Sequence, residues 1–365
     1  MERMSSTITA IGTAIPENRY PLSDFVEWAG LTHASPAARR KLQFLARDAG
    51  IAVKHMAIND FSLNGKGVLY RWNGTGYQDP DTAIRLGHFL PLATKLGTEA
   101  ATTCLRRREV DAEQITHLIA VSCTGVEAPG LEIALYRSLN LPARAERGAV
   151  NFMGCYAVFH ALKQADYICR ANPGSKVLIV SVELCSLHFR NSEENDNLLS
   201  TVLFSDGAAA ALIEGGSADQ HPVLRLNAFA STLISEGKDA MGWHIGIRGF
   251  EMILSSAVPK HIGSNMRQAY QQLLTKGGLE PTDIVGYAIH PGGKNILMAF
   301  AEAIGCEMED LQVSFDVMRE HGNMSSATIL FVLERILYQS LLHGPFYAAA
   351  FGPGLTVESG LFSRL

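Results

Sequence analysis

The sequence predicts an α/β protein whose sheets are covered by helices. Three observations predict it. Short apolar runs alternate with longer amphipathic ones along the 365 residues. Several apolar runs end in small polar or glycine-rich text, as strands do where they turn into helices. Hydrophobic residues make up 47% of the chain and charged residues 18%, which suits a deep core and argues against disorder.

The elements follow in order. DTAIRLGHFLPLATKLGTEAATTCLRRR (81–108) reads as a long helix, and ITHLIAVSCTG (115–125) as a buried strand. LEIALYRSLNL is helical. The strand-like AVNFM meets a tight turn at Gly154, and CYAVFHALKQADYICRA continues as a helix. KVLIVSVELCS (176–186) is a second buried strand, DIVGYAIHPGG (283–293) a third that ends at a histidine, and FYAAAFGPG (346–354) a fourth. VPKHIGSNMRQAYQQLLTKG (258–277) and SSATILFVLERILYQSLL are helices. The polar, glycine-rich stretch from Asn59 to Asp79 reads as surface loop.

Composition excludes several classes. A net charge of −5 argues against a nucleic-acid binder. No apolar run reaches the ~18 residues of a membrane span, and the first twenty residues lack a signal-peptide layout. The six cysteines form no CxxC pair, so no metal site is expected. Scattered single cysteines fit a reducing cytosol, so a cytoplasmic location is expected.

An internal echo divides the chain. A strand ends near Cys123, and a strand-to-helix turn follows 32 residues later at Cys155. A strand ends at His290, and a similar turn follows 33 residues later at Asn323. Two facing halves, 1–220 and 221–365, would bring Cys155, His290 and Asn323 to one centre. Each residue also has an ordinary reading. Cys155 could be a buried core thiol, His290 a structural histidine and Asn323 a helix cap. Together they suit carbon–carbon bond formation on thioesters. A cysteine at a helix N-terminus is biased toward thiolate and can hold an acyl group. Neutral His and Asn donors would stabilise the enolate left when a malonyl group loses CO2.

The motifs GCYA (154–157), LFSDGAAA (203–210), AIHPGG (288–293), HGNMSSA (321–327) and FGPGLTVES (351–359) resemble the type III polyketide synthases, the chalcone and stilbene synthase superfamily. The resemblance runs over nearly the whole chain. It implies a five-layered αβαβα thiolase fold of two duplicated halves, found as a homodimer. It implies Cys155 as acylated nucleophile, and His290 as the group that keeps it thiolate. With Asn323, His290 would also hold the malonyl enolate. Phe204 matches a gatekeeper aromatic, and an apolar ring beside a carboxylate favours its loss as CO2. Cys123, Thr124, Cys185, His188, Met252 and Ser325 fall at pocket positions. Ala128 stands where plant members carry a methionine that reaches across the dimer, and Met252 replaces a second gatekeeper Phe. Small residues at 124, 128 and 185 resemble bacterial members that open a tunnel for a long acyl chain. Each buried methylene there would contribute roughly 0.8 kcal/mol. RRKLQFLARDAG offers Lys41 and Arg47 for the phosphates of coenzyme A, although a solvated basic helix face explains them equally well.

The resemblance implies acyl-CoA and malonyl-CoA as substrates, products of the alkylpyrone or alkylresorcinol type, and no metal or redox cofactor. A carrier protein could deliver the starter instead. A short or aromatic starter is the alternative within the family, and a non-catalytic thiolase-fold partner the alternative outside it. A β-ketoacyl synthase shares the triad but fits the surrounding motifs less well.

Overall fold

The computed structural model describes residues 6–33, 35–62, 67–71, 77–216, 222–340 and 342–365. The strands are β1 (Ser6–Ala14), β2 (Asn18–Pro21), β3 (Val53–Met56), β4 (His117–Ser122), β5 (Glu146–Asn151), β6 (Lys176–Leu184), β7 (Asp206–Gly215), β8 (Leu224–Leu233), β9 (Met241–Gly246), β10 (Gly249–Leu254), β11 (Tyr287–Ile289), β12 (Gly344–Gly352) and β13 (Thr356–Arg364). The helices are α1 (Leu22–Thr32), α2 (Pro36–Asp48), α3 (Thr82–Arg108), α4 (Leu131–Ser138), α5 (Ala157–Ala171), α6 (Asn195–Leu203), α7 (Val258–Gly277), α8 (Lys294–Ile304), α9 (Gln312–His321) and α10 (Thr328–Gln339).

The main sheet runs β11-β12-β13-β8-β1-β7-β6-β4-β5. Its order reveals the duplication. From β1 outward the chain pairs antiparallel with β7, then β6, and continues parallel to β4. From β8 outward it pairs antiparallel with β13, then β12, and continues parallel to β11. The two series meet where Ser6, Thr7 and Ile8 of β1 face Leu226, Arg225 and Leu224 of β8.

Side-chain alternation along the strands builds the layers. In β4, Leu118 and Ala120 join one core while Ile119 and Val121 join the other. In β12, Tyr347 and Ala349 join the first and Phe346 and Ala348 the second. The second core is filled by α5 and α10, and the first by outer helices including α3 and α7. The result is helix, sheet, inner helices, sheet, helix. An inner helix must be apolar on nearly every face. Accordingly α10 buries Ile329, Leu330, Phe331, Val332 and Leu333 in succession.

Three of the strands read from apolar runs are present with shorter bounds, the fourth is shifted two residues toward the N-terminus as β12, and the helix 258–277 matches α7 end to end. Much of the predicted loop 59–79 lies outside the described residues. Among the described residues, no helix is long and apolar enough to cross a membrane, and no cluster of His, Cys, Asp or Glu could hold a metal.

Candidate active site

β5 ends at Asn151, and the backbone must reverse before α5 begins. Phe152 and Gly154 take positive φ values of 61° and 78° to do so. A side chain at Gly154 would place its Cβ 2.2 Å from Pro353 Cδ, so glycine is required on steric grounds as well. Cys155 follows in the 3-10 turn Gly154–Tyr156 that leads into α5. Its Sγ lies 3.7 Å from Ser325 Oγ.

Asn323 arrives from the other half. Its backbone forms a parallel bridge with Phe204, in which its N–H donates to Leu203 O at 3.0 Å and its carbonyl accepts from Ser205 N at 2.9 Å. Its Oδ1 accepts from Ser325 N at 2.8 Å, and its Nδ2 lies 3.4 Å from Gly292 O. These contacts orient the amide of Asn323. The oxygen is committed to backbone, and the NH2 end is turned toward the loop after His290. Both ring nitrogens of His290 are buried without a hydrogen-bond partner.

Cys155, His290, Asn323, Ser325 and Phe204 line one cavity with about 1050 Å³ of empty space, its open mouth included. Cys123, Thr124, Cys185, His188 and Met252 line it too. Ala128 does not. It is exposed in the loop after β4, so a residue there does not shape this chain's own cavity. Lys41 and Arg47 also lie outside the cavity. Lys41 donates to Asn195 Oδ1 at the start of α6, and Arg47 is exposed on α2.

The electrostatics of the site are dominated by burial. Burial pushes the Cys155 thiol up to about 12, against the lowering effect of hydrogen bonds from Ser325 and Asn323. Burial also pulls His290 down to about 3. Desolvation thus works against the helix end and favours the neutral form of each group. His188 is likewise held neutral, at about 3, by burial. Its Nε2–H donates to Thr124 O at 2.7 Å and its Nδ1 accepts from Phe250 N at 3.1 Å. With both nitrogens engaged, His188 offers the cavity a ring face, stacked 4.0 Å from Phe250.

Several lining residues escaped the sequence reading. Trp243 and Phe250 complete an aromatic wall with His188, and Trp243 Nε1 donates to Cys123 O at 2.7 Å. Glu183 lies beneath the cavity floor, fully buried. It accepts from Cys123 N at 3.0 Å, from Thr124 Oγ1 at 2.8 Å and from Ser326 Oγ. Burial raises its pKa despite these donors. A lone carboxylate inside the apolar run KVLIVSVEL was the available signal. Cys123 itself is packed on the Gly154 backbone, its Sγ 2.9 Å from Gly154 N.

The family models for the N-terminal and C-terminal domains of chalcone and stilbene synthases match residues 1–217 and 225–365. The chain belongs to the chalcone and stilbene synthase family. This type III polyketide synthase is 30% identical over 98% of its length to an alpha-pyrone synthesis polyketide synthase-like protein, Pks18, of Mycobacterium tuberculosis, and covers 91% of that protein. It is 29% identical to probable polyketide synthase 1 of Dictyostelium discoideum over 77% of its own length, but spans only 10% of that much longer relative. Among solved structures, the synthase superposes on PKS-I of the brown alga Ectocarpus siliculosus with a TM-score of 0.92, at 25% identity and full coverage of both chains. It superposes on the C-terminal type III domain of Steely1, a type I/III hybrid from Dictyostelium, with a TM-score of 0.90 at 25% identity, covering 99% of each. The synthase is a condensing acyltransferase with the thiolase-type layered fold.

Proposed function

We propose that this synthase loads a medium- or long-chain acyl group from CoA onto Cys155, extends it with malonyl-CoA, and cyclises the product to an alkylpyrone or alkylresorcinol. The observation that carries the reading is the meeting of Cys155, His290 and Asn323 with Phe204 in one largely apolar cavity.

Loading begins from the neutral pair. As Sγ attacks the thioester carbonyl, its proton passes to a free nitrogen of His290 and then leaves with the CoA thiol. His290 returns to its neutral form and can donate one N–H. That donor and Asn323 Nδ2 receive the malonyl thioester oxygen. The bond to the carboxylate breaks, CO2 departs beside Phe204, and the electron pair enters the enolate. The enolate carbon attacks the acyl-Cys155 thioester and expels the thiolate. No metal or redox cofactor takes part in this scheme.

Phe25, Phe61, Phe189 and Leu254 along the cavity wall support an aliphatic starter. The name of the mycobacterial relative agrees with a pyrone product. An aryl starter is the second reading, favoured by the wall of Trp243, His188 and Phe250. Lys41, held against the cavity-lining helix α6, is the CoA phosphate contact we assign. Arg47, further along α2, is a weaker candidate. We further propose a cytoplasmic homodimer, in keeping with free cysteines throughout the described residues. Dimerisation would cover the exposed edge strand β5 and the Val126–Ala128 loop.

The test is a ladder of starters, from acetyl- to stearoyl-CoA with one aryl-CoA, incubated with malonyl-CoA and read by mass spectrometry. The expected result is pyrone or resorcinol masses with preference for chains above about ten carbons. Preference for acetyl or aryl starters would overturn the long-chain assignment.

A further inference from the structure

Lys54 lies in β3, a strand buried at every position, and is itself 1% exposed. It lines the cavity beside Phe25, Met56, Phe61 and Cys185. Its Nζ donates to Thr201 O near the end of α6 and sits 4.1 Å above the Phe25 ring. An ammonium has three donors, and among the described residues a single acceptor meets it. Asp206 is near enough to act on it electrostatically, yet no carboxylate pairs with it within 4 Å. Asp206 is already committed to Ser186 N at 2.8 Å, Ala57 N at 2.7 Å and Ser186 Oγ. The other basic groups of the cavity are accounted for. As charges, Arg190 is paired with Glu251 at 3.3 Å, although its Nε is buried without a partner, and burial keeps His188 and His290 neutral.

An incompletely satisfied cation in an apolar cavity is costly unless a ligand completes it. Lys54, Cys185 and Cys155 line the same cavity. A chain held on Cys155 therefore occupies the cavity that the amine lines. We propose that Lys54 is a specificity-determining residue that binds an oxygen at the tail of the acyl starter, so that ω-carboxylated acyl groups are preferred over methyl-ended ones of equal length. The inference rests on the acyl-loading reading above and sharpens its substrate class. Burial lowers the amine to about 7, in keeping with a site that gains from an anionic partner.

The experiment compares octanoyl-, decanoyl- and dodecanoyl-CoA with their ω-carboxyl counterparts, each with malonyl-CoA, in the full-length protein and in Lys54→Met and Lys54→Arg. The expected wild-type preference in kcat/KM for the carboxylated starter is about 10- to 100-fold. Lys54→Met should erase it while changing the methyl-ended starters less than about threefold, and Lys54→Arg should retain it. A wild-type ratio at or below one, or an equal loss on both series in Lys54→Met, would overturn the inference in favour of a purely structural tie to α6. Calorimetric binding of dodecanoate against dodecan-1-ol separates the two readings. Binding of dodecanoate that depends on Lys54, without turnover of any starter, would uphold the anion site and sink the acyl-loading function. Binding indifferent to Lys54 would sink the anion site whatever the turnover.

Discussion

At the scale of single residues, desolvation biases the nucleophile toward its neutral form. Thiolate should be scarce in the resting enzyme, because burial holds the Cys155 thiol high and His290 neutral. Inactivation by iodoacetamide, followed as alkylation of Cys155, is expected to rise about tenfold per pH unit between pH 6 and 9. A resident thiolate–imidazolium pair would give a flat profile over that range. Asn323 permits a second separation. Asn323→Asp keeps the acceptor that holds Ser325 N but removes the NH2 donor. It should lower kcat by about 100- to 1000-fold while the acyl adduct on Cys155 still forms, as intact-mass spectrometry would record. Residues of this kind were legible in the sequence because each stands at a strand–helix junction with distinctive neighbours. Lys54, Trp243 and Phe250 were not, since only tertiary packing brings β3 and the β9–β10 hairpin to the cavity.

At the scale of elements, the turn between β5 and α5 carries the most constraint. Gly154→Ala would force both a positive φ and a collision with Pro353. The expected cost is about 1–3 kcal/mol, measured as a lower denaturation midpoint with unchanged slope, together with loss of acylation. The amphipathic and all-apolar helices were the easiest elements to read, as the agreement over α7 illustrates. β7 was hidden because DGAAAALIEG has the composition of a helix. Its alanines lie between two helix layers, where small side chains let the layers approach. β5 was read only in part, because ERGAVN is largely exposed and lacks an apolar pattern.

At the scale of the molecule, buried neutral histidines tie stability to pH. His33, His55, His188, His290 and His321 all have pKa values pulled below the usual histidine value, chiefly by burial. Their unfolded forms take up protons near pH 6.5, while the folded forms resist until well below it. The unfolded state therefore binds more protons as pH falls, and stability decreases through that window. Lys54, pulled down to about 7, extends the same trend upward, so the melting temperature should rise from pH 7 to 8 and fall progressively from about pH 6.5 toward pH 4. A constant melting temperature down to pH 5 would contradict this account. The duplicated architecture was visible as an echo of spacing, but the antiparallel seam that joins its halves was not. Its β1 strand, STITAIGTA, carries no mark of where it pairs.

That seam has a consequence for the chain as it is synthesised. The first half supplies the sulfur, but both groups proposed to activate acyl transfer come from the second, and Asn323 follows Cys155 by 168 residues. A nascent chain that has folded only its first half lacks both of these groups. Cellular acyl-CoA therefore meets the assembled trap only after His290 and Asn323 have emerged and packed against the first half.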